Sequence, residues 1–153
     1  MFSNRFKIAM IAAALAAPAS AVAQDGGVEL QTSIQLVHAS GDGDVIAPAT
    51  SVVPGDRLEF HVTYRNLTGS TVTDFVVVNP VPSSVVVTPQ SASQIEVSID
   101  GGALWGPLAS LAVTDEEGNR RPAAADDVTH LRWIIASLAP EQEGTVTYRA
   151  VVQ

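Results

Sequence analysis

Three histidines are the side chains of this chain best suited to bind a transition metal. They are His38, His61 and His130. A zinc ion needs its ligands within about 2 Å of one point. Strand alternation turns His61 and His130 outward, on strands that we expect to belong to different sheets. We therefore expect solvated histidines and no zinc site.

Acidic residues cluster in three places that suit calcium, which prefers oxygen ligands. The groupings are Asp42-Gly43-Asp44, Asp115-Glu116-Glu117 and Asp126-Asp127. The first of them lacks the spacing of a helix–loop–helix calcium loop, because Ile46 follows Asp42 and Asp44 and no closing Glu stands at the twelfth position. Turn formation explains Asp and Gly at these positions equally well. We expect no metal ion, with calcium at 42–44 or 115–117 as the alternative.

The residues needed for catalysis do not form a recognisable pattern. The chain has no cysteine, and none of its serines lies in a Gly-x-Ser-x-Gly sequence. Carboxylate pairs are present, but the sequence does not place two of them across a cleft. We therefore expect no catalytic residue, no cofactor and no enzymatic activity.

Four aromatic residues are candidates for a platform that stacks sugar rings. Phe60, Tyr64 and Trp133 fall on the inward faces of alternating strands, and we expect them in the core. Trp105 precedes Gly106-Pro107 and is the aromatic residue that an exposed platform would use. A carbohydrate-binding module centred on Trp105 is therefore an alternative hypothesis.

Residues 1–23 have the order of a secretory signal peptide. Arg5 and Lys7 precede an apolar run over 8–17, and Ala21-Val22-Ala23 supplies small residues before the expected cleavage after Ala23. The run is shorter than the roughly 20 residues that span a bilayer. We expect residues 24–153 to be exported, to the periplasm or to the cell surface or beyond, without membrane insertion.

The charge of the chain argues against two classes of partner. It has 16 acidic and eight basic residues and a formal net charge of −8. Nucleic acids and anionic lipids are bound through Lys and Arg, so we expect neither as a partner. Since the chain has no cysteine, an exported domain must derive its stability from its core alone.

The pattern of residues 24–153 is that of one all-β domain. Short alternating or Val-rich runs predict strands over 28–37, 57–65, 71–78, 84–88, 95–99, 111–114, 128–135 and 144–152. No segment shows a sustained helical period. About 7–9 strands with regular turn signals indicate an antiparallel β-sandwich, with a closed barrel as the alternative.

Turn chemistry predicts how neighbouring strands connect. We expect 57–65 and 71–78 to form a hairpin around the polar turn 66–70, where Asn66-Leu67-Thr68 also fits a glycosylation sequon. Asp100-Gly101-Gly102 predicts a second hairpin. The polar stretches 39–54 and 115–125 are expected to be loops.

One stretch resembles a known family. It runs from Pro54-Gly55-Asp56 through Asn66 and Gly69 to Val76-Val77-Val78 and Asn79-Pro80-Val81-Pro82. This order is similar to a bacterial and archaeal cell-surface repeat family of unknown function, with Asn79 where that family usually has Asp. Over roughly 50–153, the resemblance implies an immunoglobulin-like sandwich on secreted or cell-surface proteins. It implies a structural or adhesive role and no catalytic residues.

The leading hypothesis is a secreted, non-catalytic structural or interaction module of the bacterial envelope or surface. Such a module acts by protein–protein contact, with an unidentified partner or a second copy. The runs 76–78 and 85–87 are apolar on both faces and therefore invite strand pairing, with Pro80, Pro82 and Pro89 as guards. As an alternative, segment 28–37 is donated to a neighbouring subunit and builds a filament.

Overall fold

The computed structural model describes residues 27–40 and 43–153, and most of these form antiparallel strands. The predicted all-β character is confirmed, whereas the predicted signal peptide and Asp42 lie outside the described residues. The elements are β1 (Val28–Ser40), β2 (Gly43–Pro48), β3 (Arg57–Asn66), β4 (Val72–Pro80), β5 (Val85–Val87), α1 (Pro89–Gln94), β6 (Glu96–Ser98), β7 (Ala112–Thr114), β8 (Arg120–Pro122), β9 (His130–Leu138) and β10 (Glu143–Val152). Within this part of the chain, no helix has the length and apolar character needed to cross a membrane.

Five strands form the larger sheet, in the order β2-β1-β3-β10-β5. β3 lies at its centre and pairs with β1 at ten positions and with β10 at nine. Leu58, Phe60 and Val62 of β3 are buried, and the residues between them point to the opposite face. Alternation along the strand therefore determines which face of this sheet joins the core, as predicted.

The other strands form two smaller sheets. β9 is the middle strand of a three-stranded sheet in the order β4-β9-β6, and β7 pairs with β8 alone. The register of β4 on β9 runs from Val72 opposite Leu138 to Pro80 opposite His130. The described strands thus divide among sheets with free edges and do not close into one barrel.

Residues from the two larger sheets form one hydrophobic core. The rings of Phe60 and Tyr148 stack with centroids 4.5 Å apart, and the Trp133 ring of β9 lies 6.3 Å from that of Tyr148. Asn79 of β4 donates from Nδ2 to the Tyr148 hydroxyl at 3.0 Å. Burial raises the pKa of the Tyr148 phenol above its ordinary value. Leu131 of β9 is completely buried in this core, and Val77 of β4 is also completely buried.

The predicted hairpin of 57–65 with 71–78 is wrong. β3 pairs with β1 and β10, whereas β4 pairs with β9. The turn at 66–70 therefore carries the chain from one sheet to the other. Turn chemistry predicts a reversal but not the pairing partner, and both edges of β3 are already occupied.

Asn66 anchors this crossing between the sheets. Its side chain is fully buried. Its Nδ2 donates to the carbonyl oxygens of Ser70 at 2.8 Å and of Leu138 at 2.9 Å. Its Oδ1 accepts from the backbone N–H and the hydroxyl of Thr68. Both the nitrogen and the oxygen of the Asn66 amide are hydrogen-bonded within the protein. The residues of the predicted glycosylation sequon therefore have a structural role in this turn.

Two strands lie where loops were predicted, and a short helix lies between two predicted strands. β2 pairs with the end of β1, and β8 pairs with β7. The expectation of no helix is also wrong, because α1 spans Pro89–Gln94. The Thr88 hydroxyl accepts from Ser91 N–H at 3.3 Å, and Pro89 occupies the start of the helix. A Thr-Pro pair is a known helix-start signal, which an apolar-period search does not detect.

Candidate interaction surface

The side of the three-stranded sheet that faces away from the core carries exposed apolar residues. Val76 of β4 and Ile134 of β9 are direct cross-strand partners, and Val78 is the next residue on the same face of β4. These three residues are 43%, 57% and 45% exposed, in that order. We call them, together with Arg132 and Trp105, the β4–β9 face.

Trp105 and Arg132 form the polar end of the β4–β9 face. Arg132 Cζ lies 4.7 Å from the centroid of the Trp105 ring, which is a cation–π contact. Arg132 Nε also donates to Glu96 Oε2 at 2.9 Å. The rings of His130 and Trp105 form a T-shaped pair, with centroids 6.4 Å apart and an interplanar angle of 77°. These contacts fix a Trp–Arg pair, a combination enriched at the centres of protein interfaces.

Asp100 shapes the loop that presents Trp105. Its Oδ1 accepts from the backbone N–H of Leu104 at 2.9 Å and of Ala103 at 3.1 Å, and from the Ser98 hydroxyl at 2.7 Å. The bonds from Leu104 and Ser98 hold the pKa of Asp100 below its ordinary value of 3.8. The charged carboxylate is therefore part of the scaffold for Trp105.

The predicted Asp-Gly hairpin is a wider loop than a two-residue turn. β6 ends at Ser98, and the chain returns through a single antiparallel bridge between Val97 and Gly106. Gly101 and Gly102 have φ values of 79° and 97°, which favour glycine. The Asp-Gly sequence therefore correctly predicts that the chain reverses direction here. The loop is longer than a two-residue turn, and its additional residues place Trp105 over Arg132 of β9.

β4 is an edge strand of its sheet, with no partner on its outer side among the described strands. An unguarded edge of this kind pairs with other chains. Asp74 interrupts β4 with a φ of 52° and an exposed carboxylate, and Pro80 ends it. Because the edge is guarded, side chains of the β4–β9 face are better suited to binding than its backbone.

The three histidines lie on three different strands and do not converge on one point. His38 is exposed on β1. His61 is half-buried rather than fully solvated, and its Nε2 lies 3.1 Å from Glu59 Oε1. That nitrogen finds no aligned acceptor within the described chain. His130 contacts Thr129 and Trp105 and lies in the other sheet, as predicted.

The acidic groupings are held by arginines and by turns. Asp44 accepts from Arg149 Nη1 at 2.6 Å, and Asp127 accepts from both terminal nitrogens of Arg121 at 2.6 Å. The Arg121 hydrogen bonds lower the pKa of Asp127. Asp115 closes the turn between β7 and β8. In 27–40 and 43–153, no three His, Asp or Glu side chains converge on a point suited to a metal ion.

The aromatic residues differ from one another in burial. Phe60 is buried in the core, as predicted. Tyr64 and Trp133 are only half-buried, with the Tyr64 ring 6.4 Å from that of Phe75. Trp105 is half-buried beneath Arg132 and is not a free platform.

Sequence reasoning does not identify Arg132 or Ile134 as surface residues of interest. A usable signal is present in Trp133-Ile134-Ile135, which is apolar on both faces of β9. Val76-Val77-Val78 of the neighbouring strand has the same property. Two adjacent strands that lack a polar side indicate a sheet face available for contact.

Comparison of the chain with protein-family models, with curated proteins and with solved structures finds no match.

Proposed function

We propose that this chain is an exported, non-catalytic interaction module of the cell envelope with an immunoglobulin-like β-sandwich fold, and that it binds a protein through its β4–β9 face. The observation that carries the proposal is the exposure of Val76, Val78 and Ile134 beside the stacked Trp105 and Arg132. Contiguous exposed apolar side chains mark interaction sites on monomeric domains.

The sandwich assignment is supported by the shared core. Phe60 and Tyr148 of the larger sheet meet Trp133 and Asn79 of the three-stranded sheet. Two antiparallel sheets that bury facing sides in this way are the basis of immunoglobulin-like folds. Export is supported by the N-terminal order of charged, apolar and small residues.

Protein is the partner class that this surface favours. Arg132 is paired with Glu96, so the face offers little free positive charge to an anionic polymer. Burying its remaining apolar side chains away from water lowers the free energy, and a complementary apolar protein surface can bury them. Truncating a central residue of such a site costs about 2 kcal/mol or more in binding.

A paired-variant capture experiment tests this proposal. Ile134→Asp places a charge in the β4–β9 face, and Thr145→Asp places one at an exposed β-branched residue on the outward side of the larger sheet. Residues 24–153 and both variants are immobilised and exposed to native envelope extract, with bound proteins quantified by mass spectrometry. We expect one dose-dependent partner that Ile134→Asp loses and Thr145→Asp retains. Retention by both variants, or loss from both, contradicts the assignment of the face.

Strand donation by 28–37 makes a separate prediction. In this structure the segment lies in β1 and pairs with β3 of its own chain at ten positions. A filament built by donation requires that pairing to form between subunits instead. Size-exclusion chromatography of the exported form, with and without residues 24–39, would then show polymer collapsing to monomer.

A further inference from the structure

A cleft of about 540 Å³ opens between α1 and β10, and none of its lining residues belongs to the β4–β9 face. Its walls come from α1 with the residue after it, from the larger sheet, and from Trp133 of β9. The lining residues are Glu59, Gln90, Ser91, Gln94, Ile95, Trp133, Thr147, Tyr148 and Arg149. A volume of this size is within the range of small-molecule sites.

The charged groups of the cleft neutralise one another. Arg149 donates from Nε to Glu59 Oε2 at 2.7 Å and from Nη1 to Asp44 Oδ2 at 2.6 Å. Glu59 also contacts His61. With its arginine shared between two carboxylates, the cleft has no free cation for an anionic ligand and no free carboxylate pair for a cation.

Neutral hydrogen-bonding groups remain available in the cleft. The amides of Gln90 and Gln94 are exposed, and neither makes a side-chain hydrogen bond to another described residue. Each amide offers two donors and an acceptor, and the Thr147 hydroxyl adds a group of both kinds. This set matches a ligand rich in hydroxyl groups.

The backbone of β10 adds unpaired groups along the same cleft. Arg149 donates its N–H to Ser91 Oγ, and its carbonyl accepts from Thr88 N–H, so its backbone faces α1. Residues two apart in a strand present their backbone to the same edge, which places the N–H and C=O of Thr147 there. β5 pairs only with Ala150–Val152. The Thr147 backbone is therefore left for solvent or a ligand.

Trp133 supplies an aromatic surface at the inner wall of the cleft. It is half-buried and lines the opening beside Tyr148, whose ring centroid lies 6.3 Å away. An aromatic ring with an apolar face packs against the C–H face of a sugar while surrounding polar groups bond its hydroxyls.

We propose that this cleft binds a neutral saccharide, with Trp133 as the stacking surface and Gln90 and Gln94 as the amides that bond its hydroxyl groups. The site differs from the Trp105 platform predicted from the sequence, and it is independent of protein binding at the β4–β9 face. An acidic sugar is disfavoured, because the chain has a net charge of −8 and the arginine of the cleft is already paired.

The test uses Trp105→Phe as a background, because the chain has two tryptophans and Trp133 is then the sole tryptophan, which is excited selectively over the two tyrosines. The exported form is titrated calorimetrically, and by tryptophan fluorescence, with neutral hexasaccharides of glucose, of N-acetylglucosamine and of mannose at millimolar concentration. We expect saturable binding of at least one of them, with a change in Trp133 emission. Gln90→Ala and Gln94→Ala should each weaken it about tenfold, as for loss of one amide partner.

Controls separate this cleft from other surfaces. Gln153→Ala removes an exposed amide outside the cleft and should leave saccharide affinity unchanged. Ile134→Asp should also leave it unchanged, because that residue is on the β4–β9 face. The proposal is overturned if no saccharide binds, if binding survives both glutamine variants, or if only Ile134→Asp abolishes it.

Discussion

The two larger sheets both bury an inner face, but the outward side of β3 and β10 in the larger sheet is polar, whereas the outward side of β4 and β9 is apolar. On the larger sheet the outward side carries Thr63 and Thr145, whose hydroxyls lie 3.1 Å apart, and the Glu59–Arg149 pair. On the three-stranded sheet it carries Val76 and Ile134. Both sheets contribute to one core. Since the larger sheet does so with polar residues on the outward side of β3 and β10, an apolar outward side is not needed for folding. The exposed apolar residues of the β4–β9 face are therefore not required by the fold and point to a role in contact.

The largest difference between inward and outward residues should appear on β9 itself. Leu131 is completely buried, and Leu131→Ala should lower the free energy of unfolding by about 2–5 kcal/mol through the cavity it leaves. Ile134→Ala, three residues further along the strand, should change it by no more than about 0.5 kcal/mol. Urea unfolding of both variants measures the two effects. Equal losses would mean that Ile134 belongs to the core and that the comparison of faces fails.

The corner between the sheets should be the next most sensitive position. Asn66→Ala leaves the carbonyl oxygens of Leu138 and Ser70 without their donor, at about 1–3 kcal/mol of unfolding free energy. Leu67→Ala, at an exposed position in the same turn, is the matched control and should have little effect. If Asn66→Ala left the free energy of unfolding unchanged, the crossing between the sheets would not depend on this amide.

Much of the fold is predictable because alternation reports burial directly. In β3 it correctly places Phe60 inward, where the side chain is nearly inaccessible. Pairing partners are less predictable, since they depend on contacts between residues far apart in sequence. The turn around Asn66 shows this, because local chemistry there is compatible with a hairpin and with a crossing between sheets.

The candidate surfaces are predictable only in part. The Val76–Val78 run is visible in the sequence as apolar on both faces, whereas the stacking of Trp105 on Arg132 depends on the loop shaped by Asp100. The α1–β10 cleft requires knowing that β5 covers only the end of β10. Such features arise from strand lengths and loop paths, which composition and spacing do not specify.

Acid should destabilise the protein in part through Asp100, whose carboxylate shapes the Trp105 loop. A carboxylate whose pKa is lowered by folding adds stability that is complete above the unfolded value, 3.8, and is lost as pH falls through the lower folded value. The melting temperature should therefore fall as pH drops below about 4. Asp100→Asn should lower it at pH 7 and weaken this acid dependence, leaving the part due to Asp115 and Asp127. Thermal unfolding monitored by circular dichroism at several pH values measures the melting temperature. If the pH dependence of the melting temperature were the same in Asp100→Asn and in the original protein, the role given to Asp100 would be excluded.

The smallest effect is expected on the charged outer face of the larger sheet. Arg149→Met removes both ion pairs of Arg149, and solvent screening limits the loss of unfolding free energy to about 1 kcal/mol or less. High salt should reduce the difference further. Urea unfolding at low and high salt checks this. A loss of several kcal/mol would show that the polar face is as necessary to the fold as the core.

Site-specific photo-crosslinking tests the central claim about the two outer faces most directly. A benzophenone amino acid is placed at Val78 on the β4–β9 face or at Thr145 on the larger sheet, and each protein is irradiated in its native envelope. We predict a discrete protein adduct from position 78 that disappears when Ile134→Asp is added, and none from position 145. An adduct from position 145 alone, or no adduct from position 78, would contradict the assignment of the β4–β9 face as the binding surface.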